Sequence, residues 1–125
     1  MKHPRVWYVN VFVRDFPAAV EFYKEKVGLD LAFRDEEFGY ASFATEGAGF
    51  ALSRVDPAQE DVDRLVSRHT GIAIGVPDIH AAYEEMKGRG VEFPMPPTDQ
   101  PWGGVLALFS DPEGNVLYLD QLRDH

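Results

Sequence analysis

Apolar residues recur at every second position in two short stretches of the chain, "VWYVNVFV" (6–13) and "GIAIGV" (71–76). A period of two is the signature of a strand with unlike faces. Each stretch leads into a segment of helical period. Phe16, Val20, Tyr23 and Val27 form one stripe, and Ile79, Ala82, Tyr83 and Met86 form the other, at spacings of i, i+3, i+4 and i+7. Asp15 and Asp78 stand where a helix N-cap belongs, with Pro17 in the first turn, and Gly28 and Gly88 or Gly90 suit the helix ends. Further alternating runs predict strands over about 29–35, 38–45 and 48–55, then over about 91–98, 103–110 and 115–121.

The two halves are copies. A shift of 63 positions lays "VRDFPAAVEFYK" (13–24) on "VPDIHAAYEEMK" (76–87) with six of twelve residues identical. Only two copies exist and the period is too long for a solenoid unit, so the pattern predicts two duplicated βαβββ half-domains. The α+β chain is then one domain of two modules, at about 5–55 and 70–122, joined by a linker at 56–69. Within the linker, Asp56-Pro57 and Gln59 resemble a capping box and predict a short acidic helix.

Composition narrows the function classes. The 125 residues suffice for a domain with a real core, and the 45% hydrophobic and 26% charged fractions are those of a globular protein. No apolar run approaches the ~20 residues of a membrane span, and "MKHPRVWYVN" lacks a signal-peptide core, so a cytoplasmic protein is the default expectation. Without Cys there are no disulfides, thiolate metal sites or Cys nucleophiles. The net charge of −9 argues against nucleic acid and is compatible with a cationic ligand.

The paired βαβββ pattern, "VFVRDFPAAVEFYKEKVGLDL", the "PWGG" at 101–104 and "DPEGNVLYL" together resemble the vicinal oxygen chelate superfamily. That superfamily includes glyoxalase I, bleomycin-resistance proteins, fosfomycin-resistance enzymes and ring-cleaving dioxygenases. The resemblance covers nearly the whole chain. It implies two modules forming one open cup-shaped mixed sheet with helices outside, often paired in a homodimer. In metal-using members four strand positions supply ligands, and the resemblance places these at Tyr8, Ala51, Gly71 and Tyr118. Zn²⁺, Fe²⁺ and Mn²⁺ take imidazole and carboxylate ligands, whereas Ala and Gly offer no side-chain donor and Tyr binds as a costly phenolate. The expectation is therefore a cup with no metal and no cofactor. A slipped register would bring His69 toward the site, and Asp120 shares a face with Tyr118. His80 falls in the first turn of the second helix, and His3 and His125 are terminal.

Period-two sorting separates the faces. Val9, Val11, Val13, Leu52, Ile72, Ile74, Val76, Leu117 and Leu119 go to the helix side. Tyr8, Asn10, Phe12, Ala51, Ser53, Gly71, Ala73, Gly75, Val116, Tyr118 and Asp120 face inward, joined by Trp102 from the "PWGG" loop. One side of this list is bare and the other aromatic, with Asn10, Ser53 and Asp120 as polar handles, which is the composition of a small-molecule site. On this reading a Leu at Gly71 fills the bare floor while the strand still forms. No nucleophile–base constellation is present, and "EGAG" (46–49) reads as a hairpin turn and not a phosphate loop. The expected function is metal-free binding of a cationic or aromatic antibiotic or metabolite, as in the bleomycin-resistance branch. The alternatives are a superfamily enzyme with a displaced or absent metal site and a regulatory domain with a vestigial cup.

Overall fold

The capping Asp residues set both modules in motion. In the computed structural model, which describes residues 1–123, the Asp15 carboxylate accepts from the Ala18 N–H at 3.1 Å and the Asp78 carboxylate from the Ala81 N–H at 3.1 Å. His125 lies outside the described residues. Each cap satisfies a donor that the first helical turn leaves unpaired and turns the chain out of the preceding strand.

The chain divides into two compact units, Met1–Val66 and the segment from Ser67 onward. The first unit runs β1 (Tyr8–Val13), α1 (Phe16–Glu21) with a π-helical continuation over Phe22–Val27, β2 (Asp30–Asp35), β3 (Tyr40–Ala44) and β4 (Gly49–Arg54). The second runs β5 (His69–Val76), α2 (Ile79–Gly88), β6 (Glu92–Asp99), β7 (Val105–Ser110) and β8 (Val116–Gln121). Their sheets have equivalent strand orders, β1-β4-β3-β2 and β5-β8-β7-β6, and only the β1–β4 and β5–β8 pairs are parallel. The predicted α+β class and the βαβββ repeat are both present.

In the first module the helix-side face is an aromatic core. Tyr23 is fully buried, with its ring 5.1 Å from that of Phe50 and 6.4 Å from that of Phe43, and Val11, Val13, Phe16 and Leu52 are buried in the same module. The helix differs from its predicted period. After Glu21 it widens to π geometry, with the Gly28 N–H reaching the Tyr23 carbonyl at 3.2 Å, and the neighbours Phe22 and Tyr23 are both buried. In the second module Ile79 and Met86 are buried under α2, while the Tyr83 ring meets that of Phe93 at 4.7 Å. Strand β6 carries Pro94, Pro96 and Pro97, which only an edge strand accommodates, and it pairs with β7 alone.

The linker departs from expectation. Asp56 accepts from the Ala58 N–H at 2.9 Å, two residues on, and so closes a side-chain turn instead of capping a helix. Only a 3₁₀ turn over Val62–Arg64 follows. The "EGAG" segment is the expected hairpin connection, closed by the Thr45 hydroxyl on the Ala48 carbonyl at 2.6 Å.

Two polar residues of the second module are buried. Asp111 and Asn115 in the "DPEGN" turn are 4% and 1% exposed. The Asp111 carboxylate accepts from the Glu113 N–H, the Asn115 N–H and the Asn115 side-chain amide, each at 2.9 Å. Asn115 Oδ1 accepts in turn from the Arg68 N–H at 3.5 Å, and the Val116 N–H donates to the Arg68 carbonyl at 2.9 Å. Removing the carboxylate strands three donors in a dry site. Asp111→Ala should therefore cost about 3 kcal/mol, against about 1 kcal/mol for Asp15→Ala or Asp78→Ala, as read from urea unfolding midpoints. Equal costs for the three variants would show that the turn is not the stronger constraint.

Candidate functional site

In the first module, Tyr8, Asn10 and Phe12 of β1 stand beside Gly49, Ala51 and Ser53 of β4, and Ser42 and Tyr40 of β3 stand beside Ala51 and Ser53 in turn. The Ser53 hydroxyl donates to Asn10 Oδ1 at 2.9 Å, which fixes both polar handles within the face. Tyr8 is exposed, Phe12 half-buried, and Ala51 exposes none of its surface.

The second module orders its face around Tyr118. Ala73 is the ladder partner of Tyr118, and Gly75 that of Asp120. Between His69 and Ala73 the register slips, because His69 pairs with Val116 and the strand bulges over the residues between. Gly71 lies in this bulge with φ +75°, a left-handed conformation that L side chains avoid. A Leu there is strained, so the expectation that Gly71→Leu leaves the strand intact is corrected. The bulge carries the His69 ring onto the Tyr118 ring, with centroids 4.9 Å apart at 64°. The Gly71 N–H donates to His69 Nδ1 at 3.1 Å. With Nδ1 accepting, the neutral imidazole bears its proton on Nε2.

The floor is less bare than the pattern suggests. A Cβ on Gly75 would stand 2.6 Å from Leu122 Cδ2, so the Leu122 side chain already lies there. Trp102 is exposed at the tip of the 101–104 loop, which the Gln100 N–H closes on the Gly104 carbonyl at 2.8 Å. Asp120 is half-buried and lies 3.9 Å from Arg123 Nη1. Leu122 and Arg123 are thus face residues that period-two sorting missed, whereas His69 reaches the face through the slipped register that the sequence offered. The signal for His69 was a glycine inside an alternating strand, a common mark of a bulge.

The four positions at which metal-using relatives carry ligands do not fit a metal here. Ala51 and Gly71 present no side-chain donor atom, and the Tyr118 ring packs edge-to-face with that of His69. Among the described residues no cluster of three or more His, Asp or Glu side chains could hold a metal ion. No helix of the described residues is long and apolar enough to cross a membrane.

Residues 5–119 match the family model of the Glyoxalase/Bleomycin resistance protein/Dioxygenase superfamily. The chain belongs to that superfamily. The uncharacterized protein YetH of Bacillus subtilis is 33% identical over 116 residues, covering 90% of this chain and 94% of YetH. A superfamily member from Sphaerobacter thermophilus, solved by crystallography, is 29% identical with a TM-score of 0.79, over 98% of this chain and 100% of that one. TnmS3 from Streptomyces sp. CB03234, described as an antibiotic binding protein, is 33% identical with a TM-score of 0.75, over 98% of this chain and 99% of its own.

The bulge makes a sharp prediction. Nitrogen-15 NMR of histidine-labelled protein, at a pH where the imidazole is neutral, should show His69 as the Nε2–H tautomer. Gly71→Ala should lose this preference and cost about 1–2 kcal/mol of stability, because the alanine must hold a left-handed conformation. A parent protein with His69 mainly as the Nδ1–H tautomer would rule the bulge hydrogen bond out.

Proposed function

We propose that this superfamily member is a metal-free small-molecule-binding protein that takes a planar, aromatic or cationic ligand against the aromatic face of module two. The observation that carries the reading is Tyr118 with the His69 ring packed on it, at a position where metal-using relatives hold a ligand. A surface of rings and small residues supports stacking, which contributes about 0.5–1.5 kcal/mol per aromatic pair, and a cation over a ring contributes about as much. The net charge of −9 favours a cationic ligand over an anionic one. The description of TnmS3 as an antibiotic binding protein supports an antibiotic or a metabolite of similar shape as the ligand class.

An enzymatic reading draws on one observation, the hydrogen bond from the Gly71 N–H to His69 Nδ1 on the face that also carries Asp120. It would require metal-independent proton transfer, with His69 Nε2 as the group that exchanges the proton. Conversion of a bound ligand, followed by mass spectrometry, separates it from simple binding.

We also infer a cytoplasmic homodimer. Val6, Trp7, Phe33 and Phe38 are exposed on the first module, with Trp7 at 73% and Phe38 at 76%, a load of apolar surface that a second copy would cover. Sedimentation at micromolar concentration should show a species of twice the chain mass, and a monomer alone would count against the inference.

The binding reading is tested first by native mass spectrometry and metal analysis of protein purified without added metal. A thermal-shift screen over cationic glycopeptides, aromatic antibiotics and thiol conjugates follows. For a hit, Ala73→Leu should weaken binding more than about tenfold, because Ala73 is the exposed small residue beside Tyr118 and tolerates a larger side chain in a strand. Trp102→Ala should weaken planar or cationic ligands more than aliphatic ones. Unchanged affinity in Ala73→Leu would remove the ligand from this face.

A further inference from the structure

The last described residues of the chain lie on the face of module two. Gln121 fixes their course: its side-chain carbonyl accepts from the Ile79 N–H at 2.9 Å, while its amide donates to the Pro77 carbonyl at 2.6 Å and the Leu122 carbonyl at 3.1 Å. The Leu122 N–H extends the parallel ladder to the Val76 carbonyl at 2.9 Å. From this anchor Leu122 covers Gly75. Arg123 crosses to the 101–104 loop, where a Cβ on Gly104 would stand 2.7 Å from Arg123 Nη1 and 2.7 Å from Trp102 Nε1. The guanidinium thus lies beside the Trp102 indole and 3.9 Å from Asp120 Oδ1. That separation is too long for a hydrogen bond. Asp120 Oδ1 is shut off from solvent and accepts no hydrogen bond from any described residue.

We infer that Leu122 and Arg123 form a C-terminal strap in which Arg123 is a resident cation, and that ligands of the amidinium or guanidinium class on an aromatic ring bind by displacing it from Asp120 and Trp102. The inference rests on the binding function proposed above and deepens it by naming the ligand class and the group it competes with. The chemistry follows from the unsatisfied acceptor. A ligand that donates N–H to Asp120 Oδ1 makes a bond Arg123 does not make, and its ring takes the place beside Trp102 that the guanidinium held. Leu122 yields without breaking a core, since it is 56% exposed.

The probes are 2-naphthamidinium and its neutral isostere 2-naphthamide, with binding followed by tryptophan fluorescence and calorimetry. The parent should prefer the cation. Arg123→Gln keeps the side-chain stem as far as Cδ and removes the guanidinium and its charge, so the cation should bind about three- to fivefold tighter, the scale of releasing one exposed ion pair, with 2-naphthamide changing less than about twofold. Asp120→Asn should abolish the preference for the cation in both backgrounds. Leu122→Ala is a second opening of the strap and should tighten both probes. If both probes bind and Arg123→Gln leaves the amidinium no tighter, the strap inference fails while the binding function stands. If neither probe binds the parent or Arg123→Gln, both fail for this ligand class.

Discussion

The second module depends on a carboxylate buried in a turn. Asp111 collects three N–H donors from its own loop, and Asn115 passes the constraint on to Arg68, the residue just before β5. A buried carboxylate is costly unless its lone pairs are filled, and here the filling groups set the geometry. Once Arg68 is tied to Val116, His69 must pair with Val116 as well. Ala73 pairs with Tyr118 further along, so β5 holds more residues than β8 across that span, and the excess leaves as a bulge at Gly71. The placement of the His69 ring on Tyr118 is therefore a downstream result of the turn chemistry.

The same scaffold carries different chemistry in its two copies. Both modules use an Asp cap, a strand-to-helix turn and a parallel pairing of first and last strands. On the first module the handles are neutral and satisfy one another, with Ser53 on Asn10. On the second they are an imidazole, a carboxylate and a guanidinium around exposed rings. Duplication supplied the frame, and the ionisable handles stand on the second copy, beside the bulge of β5.

The frame was legible in the sequence because each of its parts has a local cause. Asp15 and Asp78 are caps by residue type and position, and the alternation of Val9, Val11 and Val13 picks out the helix-side face, on which Val11 and Val13 are buried, without knowledge of any partner. Tyr118, Asp120 and Ala73 were placed on one face for the same reason. What escaped the pattern was set by pairing. The slip between His69 and Ala73 is a property of two strands together, and alternation within one strand cannot count it. Leu122 and Arg123 escaped because their places follow from the hydrogen bonds of Gln121, a residue that looks like an ordinary end-of-strand polar side chain. The linker helix failed for a simpler reason: Asp56 found a donor two residues away, and the local turn won over the cap.

The π-helical stretch gives the duplication a frameshift that the strands never feel. From the capping Asp15 to the left-handed Gly28 is thirteen steps along the chain, and from Asp78 to the equivalent left-handed Gly90 is twelve. The first helix thus holds one residue more than the second between matching landmarks. A regular α-helix would convert that residue into a rotation of about 100° of the direction in which the chain leaves the helix. The wider turn that spans Tyr23 to Gly28 takes up the surplus as a local swelling, so both helices finish in the same backbone state. Insertions of a single residue are thereby confined to one helical turn, and the two halves can diverge in length there while their sheets keep the same strand order.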